Sequence, residues 1–208
     1  MRVFVLNTGR CGSLSFARGC EHMTNFSAGH ESRHEMPPSQ RLEYPDNHIE
    51  VDNRLAWFLG VLGEKYPDAR FVHLVRDREA VAQSFLKRWK EDPPPWKEYK
   101  NPIIRAYRKH RERHPGPGII LAFAHPIIAR PAPWNEEQRI EICRFYYDTV
   151  NANIAHFLRD KCSMEVRIEN IEDDFQDFWS WIGAEGDYDA AIAEFSRQHN
   201  VSSAEEQG

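Results

Sequence analysis

The chain reads as an α/β fold built around a central, mostly parallel sheet. Two segments carry that reading, each a short apolar run followed by a polar turn and a helical pattern. The first passes from residues 3–7 through the turn Thr8-Gly9-Arg10-Cys11-Gly12-Ser13 into 13–22. The second passes from Phe71-Val72-His73-Leu74-Val75 through Arg76 into 77–89. Unbroken apolar runs of this kind suit strands covered on both faces, as parallel strands are.

The remaining elements follow in order. Residues 24–48 are polar and irregular and predict no regular element. Asp52 or Asn53 caps an expected helix that runs through Lys65 and is ended by Pro67. Asp92-Pro93-Pro94-Pro95-Trp96 opens an irregular, variable segment, 90–134, with an expected basic helix at 101–114. The longest helical pattern is 135–161, with apolar positions at Ile140, Cys143, Tyr146, Tyr147, Val150, Ile154, Phe157 and Leu158. A late strand is expected at 164–168, helices at 172–182 and 187–198, and a frayed tail from Val201. Phe145-Tyr146-Tyr147 and Trp179-Ser180-Trp181 read as packing aromatics. No linker divides the chain, so 1–208 is expected to be one domain.

Bulk properties narrow the function. A formal charge of −5 argues against a general nucleic-acid binder, which carries a basic surplus. No window reaches the length of a membrane span, and the apolar start is too short for a signal segment. The four cysteines Cys11, Cys20, Cys143 and Cys162 lack metal spacing and are too few for a disulfide scaffold. They read as reduced thiols, and the protein as cytoplasmic. The ten histidines show no HExxH or comparable spacing, so no metal is expected.

Two motifs can carry chemistry. In Asn7-Thr8-Gly9-Arg10-Cys11-Gly12-Ser13-Leu14-Ser15, glycines let backbone N–H groups converge on an anion, and the following helix adds positive potential. Arg10 adds a full charge, and Ser13 and Ser15 add hydroxyl donors. This is not a Walker A loop, because no lysine sits in it. The second motif is Arg76-Asp77-Arg78 at a strand end, with Ser84 two helical turns beyond Arg76. Carboxyl ends of parallel strands form the ligand crevice of open α/β sheets, and an arginine there can grip a phosphate through two N–H groups.

Together the motifs resemble those of sulfotransferases that use 3′-phosphoadenosine 5′-phosphosulfate (PAPS). That family has a three-layer fold related to the P-loop NTPases. Residues 8–15 resemble its GxRSGTS-type phosphosulfate loop. Phe71-Val72-His73-Leu74-Val75-Arg76-Asp77-Arg78 with Ser84 resembles its RDPxxxxxS motif, with Arg78 in place of proline, and Tyr66-Pro67-Asp68-Ala69-Arg70 resembles its FPDAK lead-in. The resemblance covers residues 1–90. It implies that Gly9, Arg10, Cys11, Gly12, Ser13, Leu14 and Ser15 hold the 5′-phosphosulfate, and that Arg76 and Ser84 hold the 3′-phosphate. PAPS is then the co-substrate and adenosine 3′,5′-bisphosphate (PAP) the product.

The family's helix-capping lysine motif is matched only by Asp52-Asn53-Arg54, leaving Arg54 or Arg10 to balance charge at the leaving oxygen. Gln198-His199-Asn200 falls where a nucleotide-closing loop is expected. Gly29-His30-Glu31-Ser32-Arg33 resembles the Gly-Glu-Glu-Thr-Arg segment of tyrosylprotein sulfotransferases, which carries their catalytic glutamate. Glu31 is therefore the first candidate base and His30 the second, with Arg10 as the catalytic cation. The acceptor would be a hydroxyl-bearing small molecule, glycan or peptide, seated by 24–48 and 90–134. The alternatives are a P-loop-like kinase or NTPase with Asp77 on a metal, and a non-catalytic binder on the same fold.

Overall fold

The protein is described by a computed structural model over residues 1–90, 102 and 134–197. All of the expected helix at 101–114 except residue 102 lies outside the described residues. So do nearly all of the variable segment, Gln198-His199-Asn200 and the tail. The chain divides into two compact units, Met1–Asp77 with Val150–Gly208, and Arg78–Thr149.

The first unit holds the sheet. Its strands are β1 (Arg2–Leu6), β2 (Ser27–His30), β3 (His48–Val51), β4 (Arg70–Val75) and β5 (Ser163–Arg167). They pair in the order β2-β3-β1-β4-β5, and every pairing is parallel. Its helices include α1 (Ser13–Cys20), α2 (Leu59–Lys65), α5 (Ile171–Ile182) and α6 (Tyr188–Ala193). Between them in sequence come α3 (Arg78–Lys90) and α4 (Glu136–Phe157), and only the C-terminal end of α4 belongs to this unit. The expected α/β class is thus realised as a wholly parallel five-stranded sheet flanked by helices.

Aromatic side chains pack on the sheet and between its helices. Phe4 of β1 is in register with Phe71 of β4 and packs 5.3 Å from Tyr44 and 5.2 Å from Tyr66, ring centre to ring centre. Phe157 meets Phe71 edge-on at 5.2 Å. In the helical layer, Phe16 of α1 lies 5.4 Å from Phe175 and 5.0 Å from Phe178 of α5. Each fully buried ring contributes about 1.5–3 kcal/mol.

Several boundaries differ from those read in the sequence. Residues 24–48 contain β2 and lead into β3. Asp52 does cap, its carboxylate accepting the Arg54 N–H at 2.7 Å, but it caps a 3-10 turn (Asn53–Trp57). The chain breaks at Phe58 before α2 begins. The helix expected at 187–198 is only Tyr188–Ala193, and α4 closes in a 3-10 turn, Leu158–Asp160. Trp179 and Trp181 do pack, against Tyr188 and the Arg70 guanidinium.

The second unit contains α3 and the first part of α4. Phe85 of α3 meets Tyr146 of α4 edge-on at 5.5 Å. Arg78 grips the Asp148 carboxylate through Nε at 2.7 Å and Nη2 at 2.6 Å, and Arg144 grips Glu79 in the same way. Arg78 is the first residue of α3, the helix position where proline is favoured, and here it supplies an ion pair. Tyr146 is fully buried and Phe145 is 62% exposed, so the three neighbouring aromatics do not all lie in the core. Successive helical residues cannot share one face. Among the described residues no helix is long and apolar enough to cross a membrane.

Candidate functional site

The carboxyl end of β1 runs into the glycine loop, and Asn7 organises it. Asn7 is fully buried; its Oδ1 accepts the Gly9 N–H at 2.8 Å and the Cys11 thiol at 3.4 Å, while its Nδ2 donates to the Val5 carbonyl at 3.2 Å. Gly9, Arg10 and Gly12 all take left-handed conformations, with φ of 81°, 61° and 76°. Such turns curl the main chain into an anion-binding concavity. Gly12 then opens α1, whose first internal bond is Phe16 N–H to the Gly12 carbonyl at 3.0 Å. The amides of Ser13, Leu14 and Ser15 lie in the turn that has no acceptor within the helix.

The two glycines differ in what they do. The Gly9 amide is spent on Asn7, so its contribution is its conformation. A Cβ on Gly12 would lie 2.7 Å from Ile168 Cδ1 in a backbone that L-residues resist. Gly12→Ala is expected to lose about 1–2 kcal/mol of stability, read from denaturant unfolding. No change would mean that the loop re-forms in another conformation. Cys11 points inward, and burial pushes its thiol up to about 12, so only its backbone can face a ligand.

His30 ends β2, the next strand but one from β1, and Glu31 follows it. Ser13 Oγ and His30 Nε2 lie 3.1 Å apart, a hydrogen bond in which either donates according to the imidazole tautomer. Burial lowers the His30 pKa from 6.5, against the opposing charges of Glu31, Asp52 and Glu50. Glu31 sits in the left-handed region at φ 51°. Its carboxylate is paired with the Arg54 guanidinium. The structure therefore brings His30 to the loop and turns Glu31 towards Arg54.

The strand-end motif also reaches the loop. Arg76 Nη1 donates to the Arg10 carbonyl at 3.2 Å, and the Asp77 N–H donates to Glu169 at 2.8 Å. Ser84 lies in α3, in the second unit.

Glu50 and Arg41 escaped the sequence reading, and Asp52 was read only as a cap and as part of the Asp52-Asn53-Arg54 motif. Glu50 is a buried carboxylate on β3; burial raises its pKa, but the bonds from His48 and Ser32 outweigh that and leave it below 4.5. Asp52, also fully buried, takes the Arg41 guanidinium at 2.5 Å. Burial raises the Asp52 pKa, and the Arg54 amide and Arg41 hold it back only in part. Arg41 itself also donates to the Tyr44 hydroxyl at 3.0 Å. A period-two polar pattern at 48, 50 and 52 was the available signal. No group of three or more His, Cys, Asp or Glu side chains among the described residues is arranged to hold a metal.

No protein-family model matches the sequence. No curated protein matches it either. Among solved structures, the chain is similar to a sulfotransferase domain from the curacin biosynthetic pathway. The TM-score is 0.57 at 10% identity, over 95% of this chain and 78% of that one. The likeness shows a sulfotransferase-like fold.

Proposed function

We propose that the protein transfers a sulfuryl group from PAPS to a hydroxyl of a small molecule, glycan or peptide. The observation that carries this reading is the convergence of Arg76 and His30 on one glycine loop, through Arg10 and Ser13. The loop suits the co-substrate: left-handed residues and helix-opening amides seat an anion, and Arg76 adds a cation beside them. Ser84 enters the reading on the sequence pattern alone. The likeness in fold supports it, and the loop's lack of a lysine disfavours a kinase.

Sulfuryl transfer, like phosphoryl transfer, is mainly positioning and charge stabilisation. The acceptor oxygen bonds to sulfur as the bond from sulfur to the 5′-phosphate oxygen breaks, and PAP leaves. His30 takes the hydroxyl proton at its ring nitrogen, because burial lowers its pKa and so leaves the imidazole unprotonated at neutral pH. The loop amides and Arg10 stabilise charge on the sulfuryl and leaving oxygens.

The test is mass spectrometry of a metabolite extract incubated with the protein, PAPS and EDTA. A mass gain of one SO3 on some acceptor is expected even with EDTA present, since the sulfuryl group carries less charge than a terminal phosphate. Calorimetry should show PAP binding ahead of ATP. Arg76→Ala should weaken PAP about tenfold or more, the cost of a lost charge-assisted bond. Equal affinity for ATP would favour the kinase reading; binding of PAPS without transfer would favour the non-catalytic one.

A further inference from the structure

We propose that Glu50 is a positioning residue: through Ser32 it fixes the turn that aims His30 at the glycine loop. This rests on the reading of His30 as the base. Glu50 is 0% exposed and is in register with Gly29 and with Phe4, whose ring packs against Tyr44 and Tyr66. A carboxylate in such a place is costly unless every lone pair is used. The parallel ladder does not need it, because the backbone supplies those bonds.

The Glu50 carboxylate is spent on the two ends of β2. Oε1 accepts the Ser32 N–H at 2.7 Å, and Oε2 accepts the Ser32 hydroxyl at 2.5 Å. Oε2 also lies 3.1 Å from His48 Nε2, and His48 Nδ1 lies 2.8 Å from the Ser27 hydroxyl. Ser27 begins β2, and Ser32 follows its last residue by two. Gly29, between them, makes the space: a Cβ there would stand 2.7 Å from Oε2. Between the two pins lie His30 and the left-handed Glu31, a conformation that persists only where its surroundings enforce it. The grip on Ser32 supplies that enforcement together with the Glu31 N–H bond to the Val51 carbonyl at 3.0 Å and the Glu31–Arg54 pair.

The charged and polar groups facing His30 are Glu31 on its own turn, Glu50 and Asp52 from β3 and its end, Arg54 from the 3-10 turn, and Ser13 from α1. Two variants separate the effects of Glu50. Glu50→Gln can keep hydrogen bonds to Ser32 while losing the charge that favours imidazolium. Ser32→Ala keeps the charge but frees the turn. NMR titration of the His30 ring should then give opposite results. Its pKa should fall further in Glu50→Gln and return towards 6.5 in Ser32→Ala, as burial is lost.

In turnover, Ser32→Ala should lose up to about 10²-fold, the cost of a misplaced group, and Ser32→Thr should restore it. PAP affinity should hold in all three variants. If the wild type transfers no sulfate, the proposed activity fails while the NMR arm still decides the role of Glu50. An unmoved His30 titration in Ser32→Ala overturns the positioning role, whether or not Glu50→Gln folds. So does full turnover in that variant.

Discussion

Replacing His30 with asparagine is expected to lower turnover about 10²–10⁴-fold, the usual loss on removing a general base. Glu31→Gln should cost less. The sequence ranks Glu31 first, but its carboxylate is engaged by Arg54, whereas His30 is held 3.1 Å from Ser13 in the loop. Both substitutions keep approximate size, so PAP affinity should hardly move. The pH profile gives an independent check. A base must be unprotonated, so activity is full at high pH and falls as pH drops through the base's pKa. Burial places that point for His30 below 6.5. In the Glu31→Gln variant the limb should move lower still, because a charge that favours imidazolium is gone. A larger loss in Glu31→Gln than in His30→Asn would restore the glutamate as base. Turnover within a few-fold of wild type in both would place the base elsewhere.

The legible parts of this fold are those whose burial is written in continuous sequence. β1 and β4 lie at the sheet centre and are apolar on both faces, so their runs stand out. The glycine loop is legible from the strand before it and the helix after it. β2 is four residues, Ser-Ala-Gly-His, with no β-branched side chain to mark it. β3 alternates polar and apolar residues, and that pattern ordinarily signals one face in water. Here His48 and Glu50 are buried instead, because their partners Ser27 and Ser32 come from the segment read as irregular. Likewise, the pairing of Glu31 with Arg54 depends on a turn capped by Asp52, and no local pattern announces it. Asn7 was in plain view at the end of β1, but its bonds to Gly9 and Cys11 have meaning only once the loop has curled back on it.

Arg41→Ala is expected to destabilise the protein by about 3–5 kcal/mol at neutral pH, the cost of leaving a buried charge without its partner. Asp52 is fully buried, and its oxygens take the Arg54 amide and the Arg41 guanidinium. With Arg41 gone, the pKa that burial already raises should climb further. The sign of the pH dependence follows. A carboxyl whose folded pKa is raised contributes stability that is present below its unfolded value, near 3.8, and lost as pH rises through the folded one. The deficit of Arg41→Ala should therefore shrink in acid and grow towards neutrality. Denaturant unfolding across pH measures it, and adding Asp52→Asn to Arg41→Ala should recover part of the loss at neutral pH by removing the stranded charge. Turnover should fall in Arg41→Ala as well, because Asp52 caps the turn that carries Arg54 to Glu31, next to His30. A deficit below about 1 kcal/mol, typical of exposed ion pairs, would mean that Asp52 reaches water and that the pair does not brace the site.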